Sequence, residues 1–195
     1  MATTKERLDK ILPAITKKSF RENKGLGNEI GYYIFDYEPQ HEMLVRDYIN
    51  FLKDKVNSGN YGFKIKEFDL YEIMLEILDS KGYLEKNFEM ERKKGSEYVF
   101  NAAKKALRLT TANDLIIKYI KDRVEEDDII FLTGVGKAWP IIRSHTILNN
   151  LHPVVDEIPL VMFFPGTYDG GSLVLLDEVK DDNYYRAFRF IDEYQ

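Results

Sequence analysis

A chain of 195 residues is about one domain's worth, and its 44% hydrophobic and 31% charged residues are ordinary globular usage, with thirteen Tyr, twelve Phe and one Trp to build a core. There is no cysteine, which excludes disulfides, thiolate metal sites, iron–sulfur clusters and cysteine nucleophiles. A net charge of −5 argues against a general nucleic-acid coat, which needs a basic surplus to displace counterions from phosphate; direct DNA binding through a local basic patch stays open but is not favoured. The start of the chain has no signal-peptide apolar block, and the longest apolar runs, such as Leu160 to Pro165, fall far short of the ~18 residues a membrane span needs. The expectation is a cytoplasmic protein.

Residues 3 to 18 read as a helix, with Leu8, Ile11, Leu12 and Ile15 at helical spacing and Thr3 or Thr4 as its cap. The glycine-punctuated stretch Lys24 to Glu29 leads into Tyr32–Tyr37, whose aromatic, almost unbroken character predicts a strand buried on both faces. Pro39 opens a helix that carries Met43, Leu44, Ile49, Phe51 and Leu52 and ends at 57–60. A strand follows over 63–68, with Phe63, Ile65 and Glu67 on one face, and Asp69 is placed to cap a helix over 70–79. Residues 82 to 123 look helical throughout, broken near Lys93–Gly95 and near Thr110–Thr111. Thr111 to Asp114 resembles a capping box with Asp in place of Glu. The charge-heavy part of this stretch reads as a solvated helical face.

In the last third, Ile129–Thr133 predicts a buried strand, and Gly134-Val135-Gly136-Lys137-Ala138 leads to a helix from Trp139-Pro140 to Leu151. A strand over 159–164 ends at Pro165-Gly166, the loop 167–171 turns into an extended 172–176, and a last extended segment covers 184–191. Alternating strands and helices imply right-handed crossovers and an α/β fold: a mainly parallel sheet flanked by helices, an antiparallel edge near the C-terminus, and a helical insertion near 82–123, all in one domain over 1–195.

The strand-to-helix junction at Gly134–Lys137 is where a phosphate could sit. The P-loop pattern GxxxxGK[ST] nevertheless fails, since Ala138 stands at the hydroxyl position and Phe131 at the first glycine; GxGxxG fails at Trp139. A tight turn packing helix on sheet, or weak anion binding, is the expectation there. Glu29, Asp36 and Asp69 adjoin strands and form an alternative metal set for phosphodiester cleavage, with Lys64 and Lys66 nearby, although Asp69 also reads as a helix cap. His145 and His152 lie seven apart, not the i, i+4 of helical metal ligands, and Ser144 and His145 point about 100° apart on a helix. Trp139 reads as core at a helix start, Tyr168 beside Asp169 is balanced between contact and local packing, and Tyr184 and Tyr185 are further aromatic anchors. No catalytic residue and no cofactor is assigned.

Several blocks nonetheless resemble one family. Gly25-Leu26-Gly27-Asn28-Glu29-Ile30 followed by Tyr33-Ile34-Phe35-Asp36-Tyr37 looks like the start of the BrxB family of BREX phage-defence systems. Leu132-Thr133-Gly134-Val135-Gly136, then Trp139-Pro140, Arg143-Ser144-His145 and Leu148 to Pro153, is similar to its central block; Pro159 to Gly170 and Asn183 to Arg189 resemble the remainder. The resemblance implies a noncatalytic adaptor or assembly subunit that binds PglZ, an alkaline-phosphatase-like protein, with the ATPase BrxC and other BREX components as further expected partners. A metal-dependent nuclease or a degenerate nucleotide-binding protein of the same system is the alternative. Gly134, Gly136, Lys137, Trp139, Arg143, His145, Tyr168 and Asp169 are then candidates for interface or anion binding, since the family carries no catalytic set to transfer.

Overall fold

The computed structural model describes residues 2–21, 31–180 and 186–191. The glycine-rich stretch with Glu29, and Tyr184 with Tyr185, lie outside the described residues. In chain order the elements are α1 (Thr4–Asp9), α2 (Ile11–Ile15), α3 (Lys18–Arg21), β1 (Tyr32–Tyr37), α4 (Glu42–Ser58), β2 (Lys64–Asp69), α5 (Leu70–Ser80), α6 (Leu84–Lys94), α7 (Ser96–Ala106), α8 (Leu115–Lys121), β3 (Asp128–Thr133), α9 (Val135–Ala138), α10 (Ser144–Leu151), β4 (Leu160–Tyr168), β5 (Leu173–Leu175), β6 (Val179–Lys180) and β7 (Phe188–Arg189).

The main sheet runs β2-β3-β4-β1-β7 with parallel pairing throughout, while β5 and β6 add an antiparallel extension to β4. Side chains alternate across it. Phe35, Phe131, Val161 and Phe163 meet Leu8, Ile11 and Ile15 of the N-terminal helices and Ile49, Leu52 and Val56 of α4. Ile34, Ile130, Leu132, Met162 and Phe164 face the other way, onto α5, α8 and α10. Both faces are covered, which is why the central strands read as unbroken apolar runs.

The order of the strands explains the layers. From β1 the chain travels across the sheet to β2 by way of α4; from β2 it returns through β3 to β4 by way of α5 to α10. Right-handed crossovers in opposite directions require opposite faces, and the two helical layers lie on opposite faces as that rule demands. Winding therefore reverses at the β1–β4 pair.

Several local expectations need correction. The N-terminal helix is three short pieces, opened by a Thr3–Glu6 capping box. Val135–Ala138, expected as loop, forms the short helix α9, and the helix expected from Trp139 begins only at Ser144 as α10, since Trp139 is extended. Strand β4 does not end at Pro165-Gly166 but continues to Tyr168, since Gly166 and Thr167 pair with Leu175 and Val174 of β5. The last strand, β7, is parallel to β1, so the antiparallel part of the sheet is β4-β5-β6. Thr111 is not the cap of α8: Asp114 is its N-cap, accepting from the backbone N–H of Ile116 at 2.9 Å and Ile117 at 3.3 Å.

Burial raises the Asp114 carboxyl above its ordinary 3.8, outweighing the hydrogen bonds from Ile117, Ile116 and Asn150 that favour the anion. A folded state that holds the proton more tightly than the unfolded one gains stability at acid pH and loses that gain as pH rises through the raised value. Asparagine caps as well as aspartate and carries no charge. Asp114→Asn is therefore expected to match or exceed the parent in urea unfolding at neutral pH, whereas Asp114→Ala loses about 1 kcal/mol. Equal losses for both would contradict the capping account.

Candidate functional site

Open α/β sheets bind ligands at the carboxyl ends of their strands, where the winding reverses. In this chain that place is a cleft of about 290 Å³ between the ends of β1 and β4, lined by Arg7, Asp36, Tyr37, Glu38, Gly166, Thr167, Asp177 and Arg189, among others. Its floor is made of the protein's own charges. Arg7 and Asp36 are each 3% exposed. The Arg7 guanidinium donates to Asp36 Oδ1 and to the Asp36 carbonyl, both at 2.7 Å, and to the Ile191 carbonyl at 3.2 and 3.3 Å. It also lies 4.7 Å from the centre of the Phe35 ring. The second oxygen of Asp36 accepts the Tyr168 N–H at 3.0 Å and stands 3.4 Å from Arg189 Nη2, which itself donates to the Tyr168 carbonyl.

Both oxygens of Asp36 are thus engaged by fixed donors, inside β1 and not at a strand-to-loop boundary. Tyr168, a candidate contact residue, is wholly buried instead. The alternation of β4 turns it into the core, where its hydroxyl donates to the Ala187 carbonyl at 2.7 Å. Burial first, and the Asp169 charge second, push its phenol up to about 12. Asp169 is exposed and closes its own turn, accepting from the N–H groups of Gly171 at 3.0 Å and Ser172 at 2.7 Å; those bonds lower its pKa.

Beside this cleft, and sharing Tyr37 with it, lies a second of about 200 Å³ between the ends of β1, β2 and β3. Glu42, Arg46, Glu67, Asp69, Thr133, Gly134 and Lys137 line it. Tyr37 donates to Glu42 at 2.5 Å, and Glu42 accepts from Arg46 at 2.7 Å. Burial, then the Glu42 charge, holds the Tyr37 phenol protonated far above its usual range. Glu67 pairs with Lys53 and accepts from Thr133 at 2.8 Å. Asp69 caps α5 through Tyr71 and Glu72 N–H groups, as its sequence position predicts, and its other oxygen holds Lys137 at 2.7 Å.

The glycine turn is shaped around that carboxylate. Gly134 has φ +72°, and a Cβ there would stand 2.1 Å from Asp69 Oδ1. The space above the turn, where a phosphate would rest in a nucleotide site, belongs to Asp69. Lys137, the would-be phosphate lysine, points to Asp69 and, at 3.4 Å, to Glu72. Asp36 and Asp69 each have a cationic partner, and among the described residues no group of three or more His, Asp or Glu side chains is arranged to hold a metal ion.

The other candidates scatter. Gly136 lets α9 approach Pro165 and Leu176, whose side chains would be 3.2 and 3.8 Å from an added Cβ. Trp139 is not core: it is 40% exposed, because α9 ends before it. Arg143 is exposed at the start of α10, while Ser144 behind it is 2% exposed and so out of reach as a nucleophile. His145 sits at the first turn of α10, not in its middle, 3.1 Å from Thr146 Oγ1. Sequence reasoning missed Arg7, Arg189, Glu42, Arg46 and Glu67. Nothing in the sequence marks Arg7, since its partners lie 29 and 184 positions away.

The comparisons with known proteins decide the family. A profile described as BREX protein BrxB matches residues 66–190. BREX protein BrxB of Bacillus cereus (strain H3081.97) is 65% identical over 193 residues, covering 99% of this chain and 100% of that protein. The chain belongs to the BrxB family. BREX protein BrxB of Escherichia coli O9:H4 (strain HS) is 34% identical over 187 residues, covering 96% of this chain and 91% of that one. No solved structure matches the chain significantly. Membership gives this BrxB-family chain a role in the BREX phage-defence system. Among the described residues, no helix is long and apolar enough to cross a membrane.

The buried pair is the part of this site most exposed to mutational test. Arg7→Met leaves the buried Asp36 carboxylate with only the Tyr168 N–H and the more distant Arg189, and is expected to cost about 3 kcal/mol in urea unfolding. The double variant Arg7→Met/Asp36→Leu removes both charges and should recover much of that loss. A near-neutral single variant would show that the pair does not organise this end of the sheet.

Proposed function

We propose that the protein is a noncatalytic adaptor or assembly subunit of the BREX defence complex that binds PglZ directly, with BrxC and other BREX proteins as further partners. The observation that carries this reading is the state of the strand ends. Where a doubly wound sheet would hold its ligand, Asp36, Glu42, Glu67 and Asp69 are already matched by Arg7, Arg46, Lys53 and Lys137. A carboxylate bound in this way is a poor base and a poor metal ligand, because its partner must first be displaced. The segments beyond β3 and β5 offer apolar surface: Trp139, just after α9, and Leu176, which meets Gly136 of α9, are 40% and 43% exposed. An exposed Trp suits protein docking, and the exposed Leu extends its apolar surface. Cytoplasmic placement follows from this reading, since the complex acts on phage replication inside the cell.

Co-expression with PglZ, followed by size-exclusion chromatography, is expected to give a stable complex, and Trp139→Ala with Leu176→Ser to weaken it at least tenfold, a loss of about 1.4 kcal/mol. Failure to bind any BREX protein at micromolar concentration would sink the adaptor reading. Lys137→Arg keeps the ion pair with Asp69 and should leave plaque protection intact. A lysine that gripped a phosphate as a point charge would not tolerate the planar guanidinium so easily, so lost protection with an intact PglZ complex would instead favour nucleotide chemistry.

A further inference from the structure

The helical insertion carries a feature that the strand ends do not explain. Between Glu97 and Asp114 the chain has no acidic residue but holds Lys104, Lys105 and Arg108, in a protein of net charge −5. The structure gathers these three along one open groove of about 550 Å³, completed by Leu109, Thr110, Thr111 and Asn113. Among the described residues no carboxylate lines it. Asp114, the next acid in the chain, is turned inward to cap α8 and is 4% exposed. The groove therefore presents cations without internal partners of its own lining, the reverse of the strand ends.

A second cleft, of about 170 Å³, adjoins the first and shares Lys104, Leu109 and Thr110 with it. Its walls are aliphatic, from Leu109, Ile141, Ile142 and Ile147, with Arg143 and Thr146 at its side. The loop that separates the helices is held in an unusual form: Arg108 and Thr110 have φ of +56° and +65°, a region side chains rarely occupy. Backbone bonds from Leu109 N–H to the Lys104 carbonyl and from Leu115 N–H to the Leu107 carbonyl keep it so. A cationic groove with one aliphatic hole, sized for a single large side chain, is what the insertion builds together with residues 141–147.

We infer that this double cleft docks an acidic segment of a partner protein, with one Leu, Ile, Met or Phe side chain seated between Leu109, Ile142 and Ile147 and flanking carboxylates on Lys104, Lys105, Arg108 and Arg143. The inference deepens the adaptor reading and rests on it, naming the chemistry of the segment that the adaptor grips. Charge complementarity sets the sign of the partner and speeds encounter, while the buried apolar anchor supplies the affinity. A nucleic-acid strand fits less well. Sequence-tolerant strand binding depends on aromatic platforms for the bases, and among the described residues neither cleft has an aromatic ring in its lining.

The test is selection of a bacterial-display library of random peptides on the intact chain, with a labelled single-stranded oligonucleotide as the competing probe. Enriched peptides are expected to carry Asp or Glu around one large apolar residue. A synthetic representative should lose about tenfold or more in affinity when that residue becomes Ala, or when the protein carries Lys104→Glu with Lys105→Glu. Arg108→Gln is the second variant if charge reversal disturbs folding, with circular dichroism as the check. Selected peptides without acids, binding indifferent to these variants, or oligonucleotide binding abolished by them would overturn the inference. The same variants in co-purification with PglZ separate the two readings. A PglZ complex alongside absent peptide binding ends the groove alone; peptide binding with no BREX partner ends the adaptor reading alone.

Discussion

The Arg7–Asp36 pair ties together, at one buried point, parts of the chain that lie far apart in sequence. One guanidinium, 3% exposed, reaches the side chain and carbonyl of Asp36 in β1 and the carbonyl of Ile191 beyond β7. Through its other oxygen Asp36 takes the N–H of Tyr168 in β4. Four pieces of chain, α1, β1, β4 and the C-terminal segment, converge on a single charge pair at the point where the sheet reverses its winding. Two charges out of water are costly, and they repay that cost only when nearly every lone pair and proton has a partner, as here. The arrangement trades a ligand crevice for a structural clasp.

That trade is repeated along the whole carboxyl edge of the sheet. Asp69 serves at once as helix cap, as partner of Lys137 and as the group that demands glycine at position 134. A P-loop fails there for a reason more physical than a missing hydroxyl: the anion that the turn accommodates is a side chain of the protein. Tyr37 and Glu42 form a further hydrogen-bonded link beside it. Chemistry needs a group whose charge is free to change or to be shared with a substrate. A surface whose charges already answer one another is better suited to rigid presentation of what surrounds it, here Trp139, Leu176 and the helical insertion.

The insertion completes the contrast. Residues 84–106 form two helices with little of their surface in the core, Asn87 and Ala103 being the buried members. Within the sheet layers, apolar alternation dictates position. In the insertion, packing dictates little, so the residues there are free to serve contacts with other molecules. Its cations sit in one groove at the end of α7, where Lys104 and Arg108 are four residues apart and the loop takes positive φ at Arg108 and Thr110.

The strands were legible in the amino-acid sequence because their side chains sit on two buried faces, which leaves runs such as Tyr32–Tyr37 and Ile129–Thr133 with almost no polar interruption. The α/β class, Asp69 as a cap and the breaks within 82–123 follow from equally local physics: spacing, capping and the conformational range of glycine. The family resemblance is local too, carried by short blocks along the chain. What only the tertiary structure decided depends on groups far apart in sequence. The burial of Tyr168 and the extension of β4 past Gly166 arise from packing or pairing with distant elements. Whether a carboxylate such as Asp36 is a ligand or half of a clasp is set by a partner 29 residues away, and an electrostatic interaction that crosses the fold leaves no period or spacing in the chain to read.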